Sequence, residues 1–343
     1  MSRHENEHRH TSTGDEARPA TGGAGSTESP TDLPKRSWWG VLKRTTKQFK
    51  ADSLSDAAAA LTYYGLLAIF PALLALVSIL GLVGSPATKP LLDHIRDLGP
   101  GSVRQILTAV VQQLQAAQGK AGIALAIGII LALWSASGYV AAFTRAANNV
   151  YGIDEGRPFW KALPTRLALT VVLVVLLALT ATGVVFTGTL ATKTGKILGV
   201  GENAVQVWGI VKWPILVIIV TAMVTLLYWA APNAKRPKLR WIVPGSLVAV
   251  ALWIIASGAF ALYVADLGSL NSTYGSIGAV ILFLLWFWVS NVAILLGLEF
   301  NFELERGRAI EAGHPPEEEP HLEPRDTHEP PPDTAQDHDS PSH

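Results

Sequence analysis

Residues 267–298 read LGSLNSTYGSIGAVILFLLWFWVSNVAILLGL, 32 positions without one Asp, Glu, Lys or Arg, and the first charge after them is Glu299. About 20 apolar residues in a helix cross the hydrocarbon core of a bilayer. A helix on a water-soluble domain would carry charge on its outer face roughly every turn. Five further charge-free stretches precede this one: Ala57–Thr88, Ala121–Thr144, Leu167–Thr192, Trp213–Ala234 and Trp241–Ala265, the shortest with 22 residues. The pattern predicts an all-α integral membrane protein with six transmembrane helices.

Composition alone hides this. The 343 residues are 49% hydrophobic and carry 27 acids against 27 bases, an ordinary balance for a soluble protein. The polar residues, however, are concentrated at the two ends. The zero net charge gives no reason to expect a nucleic-acid partner, and the natural partners of the apolar middle are membrane lipids. There is no cysteine, and His94 is the single histidine between Leu54 and Gly313. Zinc, copper and haem sites draw on several Cys or His ligands, so neither a metal nor another cofactor is expected in the core. Residues 1–34 contain no apolar segment resembling a signal peptide.

Three regions are expected. Residues 1–34 lack Trp, Tyr, Phe, Ile and Val and read as a disordered cytoplasmic tail, in which His4, His8 and His10 are more simply solvated than metal-binding. Residues 35–310 form the membrane domain. It opens with a basic amphipathic stretch, Ser37–Lys50, whose Trp38, Trp39, Val41 and Leu42 suit a helix lying along the membrane interface. Ser53 or Ser55 can cap the first span. In the first long connection, Val103, Ile106, Leu107, Val110, Val111 and Leu114 recur at helical spacing and predict a second interfacial helix. Residues 311–343 hold ten acids, the lone base Arg325 and eight prolines, and read as a disordered acidic tail. Either tail is solubilising or recruits a partner.

Lys and Arg accumulate on the cytoplasmic side of membrane proteins. With the N-terminus inside, segments 35–50, 145–166, 235–240 and 299–308 hold sixteen Lys/Arg, against seven in the opposite connections. Both termini are therefore expected in the cytoplasm.

Three blocks carry more than periodicity. They are Ala57–Pro71 with Tyr63-Tyr64; Trp134-Ser135 through Asn149-Val-Tyr151-Gly152 to Arg157-Pro-Phe-Trp160; and Tyr228 through Pro232-Asn233, Trp241, Pro244-Gly245 and Tyr274-Gly275-Ser-Ile-Gly278 to Leu298-Glu299-Phe-Asn301. In order and content they resemble the YihY/BrkB membrane-protein family, whose members have been labelled both virulence factor BrkB and ribonuclease BN. The resemblance covers residues 37–308. It implies six inner-membrane helices with cytoplasmic termini and no agreed reaction. The ribonuclease label conflicts with the residues, because one core histidine cannot build a zinc nuclease centre.

Polar groups inside a membrane call for a reason. Candidate substrate or lipid contacts are Tyr63, Tyr64, Trp134, Ser135, Arg145, Asn148, Asn291 and Glu299. Glu299, Asn301 and Glu303 can pair with Arg145 or Arg157, either as a structural bridge between helix ends or as a substrate or proton site. Arg145 suits a lipid phosphate as well as a carboxylate. Pro71, Gly138, Pro244, Gly245, Gly275 and Gly278 are candidate kinks and close helix crossings, in a packing or a gating role. No catalytic constellation stands out. The two functional expectations are a transporter or flippase of a lipid or other amphiphile, and a non-transporting scaffold working through its tails.

Overall fold

A computed structural model describes residues 35–83, 121–185, 202–235, 239–266, 270–311 and 323–327. These contain seven helices: α1 Lys35–Ala51, α2 Leu54–Val83, α3 Ala121–Val150, α4 Phe159–Val185, α5 Glu202–Ala230, α6 Leu239–Asp266 and α7 Leu270–Glu311. Among the described residues the single β-type contact is the isolated bridge between Ala234 and Pro324. The expected helix at 103–114, the first 34 residues and most of the acidic tail lie outside the description, as do the side chains of Trp38, Trp39 and Leu42.

Five helices contain segments long and apolar enough to cross a membrane: Ala126–Val150, Phe159–Val184, Val205–Ala230, Leu239–Ala265 and Ile277–Ile310. The sixth expected span stands on the shorter apolar segment Leu54–Ile69 of α2. The outward surface confirms the solvent for which these helices are built. Ile130, Leu177, Ile210, Ile218, Ile255 and Leu262 are all exposed, an apolar surface far beyond what water-soluble monomers display.

Several boundaries differ from those inferred from charge. The second span does not end at Thr144, because α3 continues as helix to Val150 and carries Arg145, Asn148 and Asn149 on its last turns. The fourth begins well before Trp213, and Lys212 lies inside it, buried, with its ammonium 5.1 Å from the Trp213 ring centroid. A cation–π contact and a long alkyl stem let one lysine sit within an otherwise apolar helix. The fourth helix also stops at Ala230, leaving residues 231–235 as an irregular connection. The last helix extends to Glu311, so the acids Glu299, Glu303 and Glu305 all lie on it, beyond the charge-free stretch. Charge marks where a helix leaves the hydrocarbon, whereas backbone hydrogen bonding continues past that point.

The most extensive packing joins α2 to α3 and α6 to α7, and α7 also meets α1, α2 and α3. The α6–α7 crossing is close because both helices present glycine. A Cβ on Gly297 would fall 2.5 Å from Ala249 Cβ and from Gly245 O. At Gly245 the same crossing repairs the helix. Pro244 has no N–H and disturbs the ladder around it. Asn301 accepts from Gly245 N (2.8 Å) and donates to Ile242 O (2.9 Å). Pro71 lies within the continuous helix α2, Gly278 is half-buried on α7, and Gly275 lies on its first turns. Gly138 faces Tyr64, whose Cδ1 would lie 3.2 Å from an added Cβ.

Helix α1 lies against the C-terminal part of α7. Val41 is buried with Trp241, Phe300 and Leu304, and Arg44 Nε donates to Glu303 Oε2 at 2.5 Å. The turn into α2 places Ser53 at positive φ (51°), with its carbonyl accepting from Asp56 N (2.9 Å) and Ala57 N (3.2 Å). Ser53 therefore holds the cap position through its backbone. The base-rich segments that charge counting assigned to one side do share one end of the bundle. Arg44 meets Glu303, Arg157 meets Ala231, and Arg308 lies over the Trp241 ring.

A basic cavity and a polar column

Two groups of polar side chains interrupt the apolar interior. The first is a short column between α2, α3 and α7. Tyr139 donates its hydroxyl to Asn291 Oδ1 (2.8 Å), and Asn291 Nδ2 donates to Thr62 Oγ1 (3.1 Å). Thr62 in turn donates to Ala58 O of its own helix (2.8 Å). Asn291 is fully buried, so each of these bonds offsets a desolvation cost that hydrocarbon would otherwise impose. Nearby, Tyr228 donates to the Ile294 carbonyl and stacks on Phe143, ring centroids 6.0 Å apart.

The second group lies at the base-rich end. Arg157 is buried and grips Glu155 with two bonds of 2.6 Å, while its Nη2 also donates to Ala231 O (2.9 Å). Asn148 donates to Glu155 Oε2 (3.1 Å) and accepts from Asn233 N (2.8 Å). Partial burial opposes ionisation of Glu155, but the bidentate guanidinium and Asn148 outweigh it and hold its carboxyl below the usual range.

Beside this network, α3, α4 and the start of the 231–235 connection enclose a cavity of about 300 Å³. Its wall combines Val140, Leu163 and Leu169 with three guanidinium groups, Arg145, Arg157 and Arg166, and one carboxylate, Glu155. Three positive charges against one negative leave two positive charges in excess. Arg157 is committed to Glu155. Arg145 is exposed, 5.8 Å from the Tyr64 ring centroid, and Arg166 Nε is buried without a hydrogen-bond partner. A larger groove of about 450 Å³ between α5 and α6 is almost wholly apolar. Its Thr221 and Thr225 hydroxyls bond back to Val217 O and Thr221 O of their own helix, so nothing there orients a polar group.

The candidate residues thus separate. Asn291 joins the column, Asn148 the Glu155 network, and Arg145 the cavity wall. Tyr64 lies under Arg145 and against Gly138. Tyr63 and Trp134 are exposed on the apolar surface, and Ser135 is half-buried. Glu299 is fully buried, and its carboxyl group interacts with that of Asp52 from the turn into α2. The expected pairing of the α7 acids with Arg145 or Arg157 does not occur. Glu303 takes Arg44 and Arg306, and Glu305 takes Arg308. Arg166 stands one residue before a charge-free stretch, where topology alone accounts for a base, so the sequence does not single it out. Glu155 and Tyr139 carried no local signal. No group of three or more His, Cys, Asp or Glu suited to a metal ion occurs among the described residues.

Comparison with known proteins agrees with the membrane architecture. The family model described as virulence factor BrkB matches residues 45–322. A putative ribonuclease-like protein YfkH of Bacillus subtilis is 29% identical over 274 residues, 80% of this chain and 98% of its own length. A UPF0761 membrane protein of Alkalilimnicola ehrlichii is 31% identical over 277 residues, 78% of this chain but only 60% of that protein. A UPF0761 membrane protein of Azotobacter vinelandii is 44% identical over 88 residues, covering 26% of this chain and 21% of its own length. No solved structure matches. A match over most of the length, on a bundle of membrane-length helices, places this chain in the virulence factor BrkB family of membrane proteins.

Proposed function

We propose that this membrane protein binds an amphiphile with an anionic head at the Arg145–Arg166 cavity and moves it between leaflets, its base-rich end facing the cytoplasm. The observation that carries this reading is the cavity wall, where two guanidinium groups without carboxylate partners stand beside apolar side chains. A guanidinium fork suits a phosphate oxygen pair, and each charge-assisted hydrogen bond is worth about 1.5–3 kcal/mol. Asn291 and Glu299 are two fully buried polar positions eight residues apart on α7. Glu299 is the acid through which movement would be coupled to protons.

Proteoliposomes carrying a fluorescent phosphatidylglycerol test this. Wild type is expected to expose inner-leaflet label to a membrane-impermeant quencher faster than empty vesicles. Combined Arg145→Ala and Arg166→Ala should slow the exchange by roughly tenfold or more, and Glu299→Gln should abolish any acceleration by a proton gradient. Equal rates for wild type and empty vesicles refute transport and leave the scaffold, which would then depend on residues 1–34 and 312–343.

A further inference from the structure

We infer that a groove at the base-rich end is a peptide-binding site, and that its ligand is the chain's own segment Glu323–Thr327. The segment runs antiparallel to residues 233–235. Lys235 N donates to Glu323 O (2.8 Å) and Arg325 N to Asn233 O (2.6 Å), on either side of the Ala234–Pro324 bridge. In that register residue 324 is not called on to donate, so proline costs the pairing nothing.

The groove reads the segment in four ways. The buried Asn233 side chain recognises its backbone, with Nδ2 donating to Asp326 O (2.8 Å) and Oδ1 accepting from Asp326 N (3.3 Å). Asn148 and the Asp154 carbonyl hold Asn233 in place for this (2.8 and 3.0 Å). Gly156 forms the floor, where a Cβ would stand 2.7 Å from Asp326 C and 2.9 Å from Thr327 Cα. Lys161 pairs with Asp326 (2.6 Å) and Lys235 with Glu323. Arg325, the lone base among ten acids in 311–343, donates to Ala234 O (3.2 Å).

These contacts select one register. Glu-Pro occurs three times in the tail, at 319–320, 323–324 and 329–330. Placing Glu329-Pro330 in the groove would set Pro331 where Arg325 N donates, and proline has no N–H. Placing Glu319-Pro320 there would set Leu322 opposite Lys161, with no carboxylate. The groove therefore takes an acidic-X-X-Asp segment and tolerates proline at its second position. Tethering supplies such a ligand at an effective concentration on the order of millimolar.

The chain has no cysteine, so introduced pairs report cleanly. Facing residues of a non-hydrogen-bonded antiparallel pair lie about 4.5 Å apart, within disulfide reach. In native membranes under mild oxidant, Ala234→Cys with Pro324→Cys should cross-link within one chain at least about tenfold faster than Ala234→Cys with Pro320→Cys or Pro330→Cys. Gly156→Val should slow the reaction by a similar factor. Asp326→Lys, which leaves the bundle untouched, should slow it up to about fivefold, as fits a partly exposed ion pair. Equal rates at 320, 324 and 330, cross-links between two chains, or a rate indifferent to both Gly156→Val and Asp326→Lys would each overturn the assignment.

Discussion

Gly297→Ala adds a single methyl group at the tightest crossing described in the bundle. The new Cβ would lie 2.5 Å from Ala249 Cβ, 2.5 Å from Gly245 O and 2.7 Å from the Tyr228 hydroxyl. Ordinary carbon contacts lie near 3.5–4.0 Å, so α6 and α7 must part by about 1 Å. Such a gap forfeits a quarter to a half of each affected contact, and a buried side chain makes some 40–60 contacts of about 0.1–0.2 kcal/mol. The loss along the seam is thus about 1–3 kcal/mol, the usual cost of overpacking. Stretching the Asn301 bonds to Gly245 and Ile242 adds about 1 kcal/mol. Replacing glycine by alanine in a helix returns about 1 kcal/mol. The net expectation is a loss of about 1–3 kcal/mol, or roughly 2–5 °C in Tm for a domain of this size. Tryptophan fluorescence during thermal unfolding in detergent measures it. Gly258→Ala on α6 is the control, since an added Cβ there meets nothing within 4 Å, and it should leave Tm unchanged or raise it. If Gly297→Ala is as stable as Gly258→Ala, the close crossing does not hold these helices together.

The polar column should behave as a coupled unit. Asn291→Leu strands the Tyr139 hydroxyl and should cost about 1–2 kcal/mol, while adding Tyr139→Phe should recover part of that. A double-mutant cycle on Tm should give a coupling of about 0.5–1.5 kcal/mol, and zero coupling would refute the bond. Glu155 should make stability depend on acid. Its carboxyl is held below the ordinary value, so its contribution is present above the unfolded-state pKa and lost as pH falls through the lower folded value. Unfolding of wild type and Glu155→Gln should therefore converge as pH drops below about 4, and a constant difference across that range would contradict the Arg157 clamp.

Much of the architecture was legible because the hydrocarbon constraint acts on each segment separately. A stretch such as 267–298 announces a span without reference to any other part of the chain. The sites were harder to read. Asn291 stood out as polar within an apolar helix, yet only the structure matched it to Thr62 and Tyr139. The sequence allows Glu303 to reach Arg145 or Arg157, but α1 places Arg44 against it.

Local composition is enough to identify the solvent around the helices. Charge-free helices, an alternation of basic connections and the absence of cysteine follow from local composition. The tertiary structure alone decided which polar groups meet: the two arginines left unpaired beside an apolar wall, the crossing at Gly245 and Gly297, and the seat of Glu323–Thr327 on Asn233. Those outcomes depend on how each helix is rotated about its axis and where it ends. Both are settled by packing between segments far apart in the chain, which no single segment encodes.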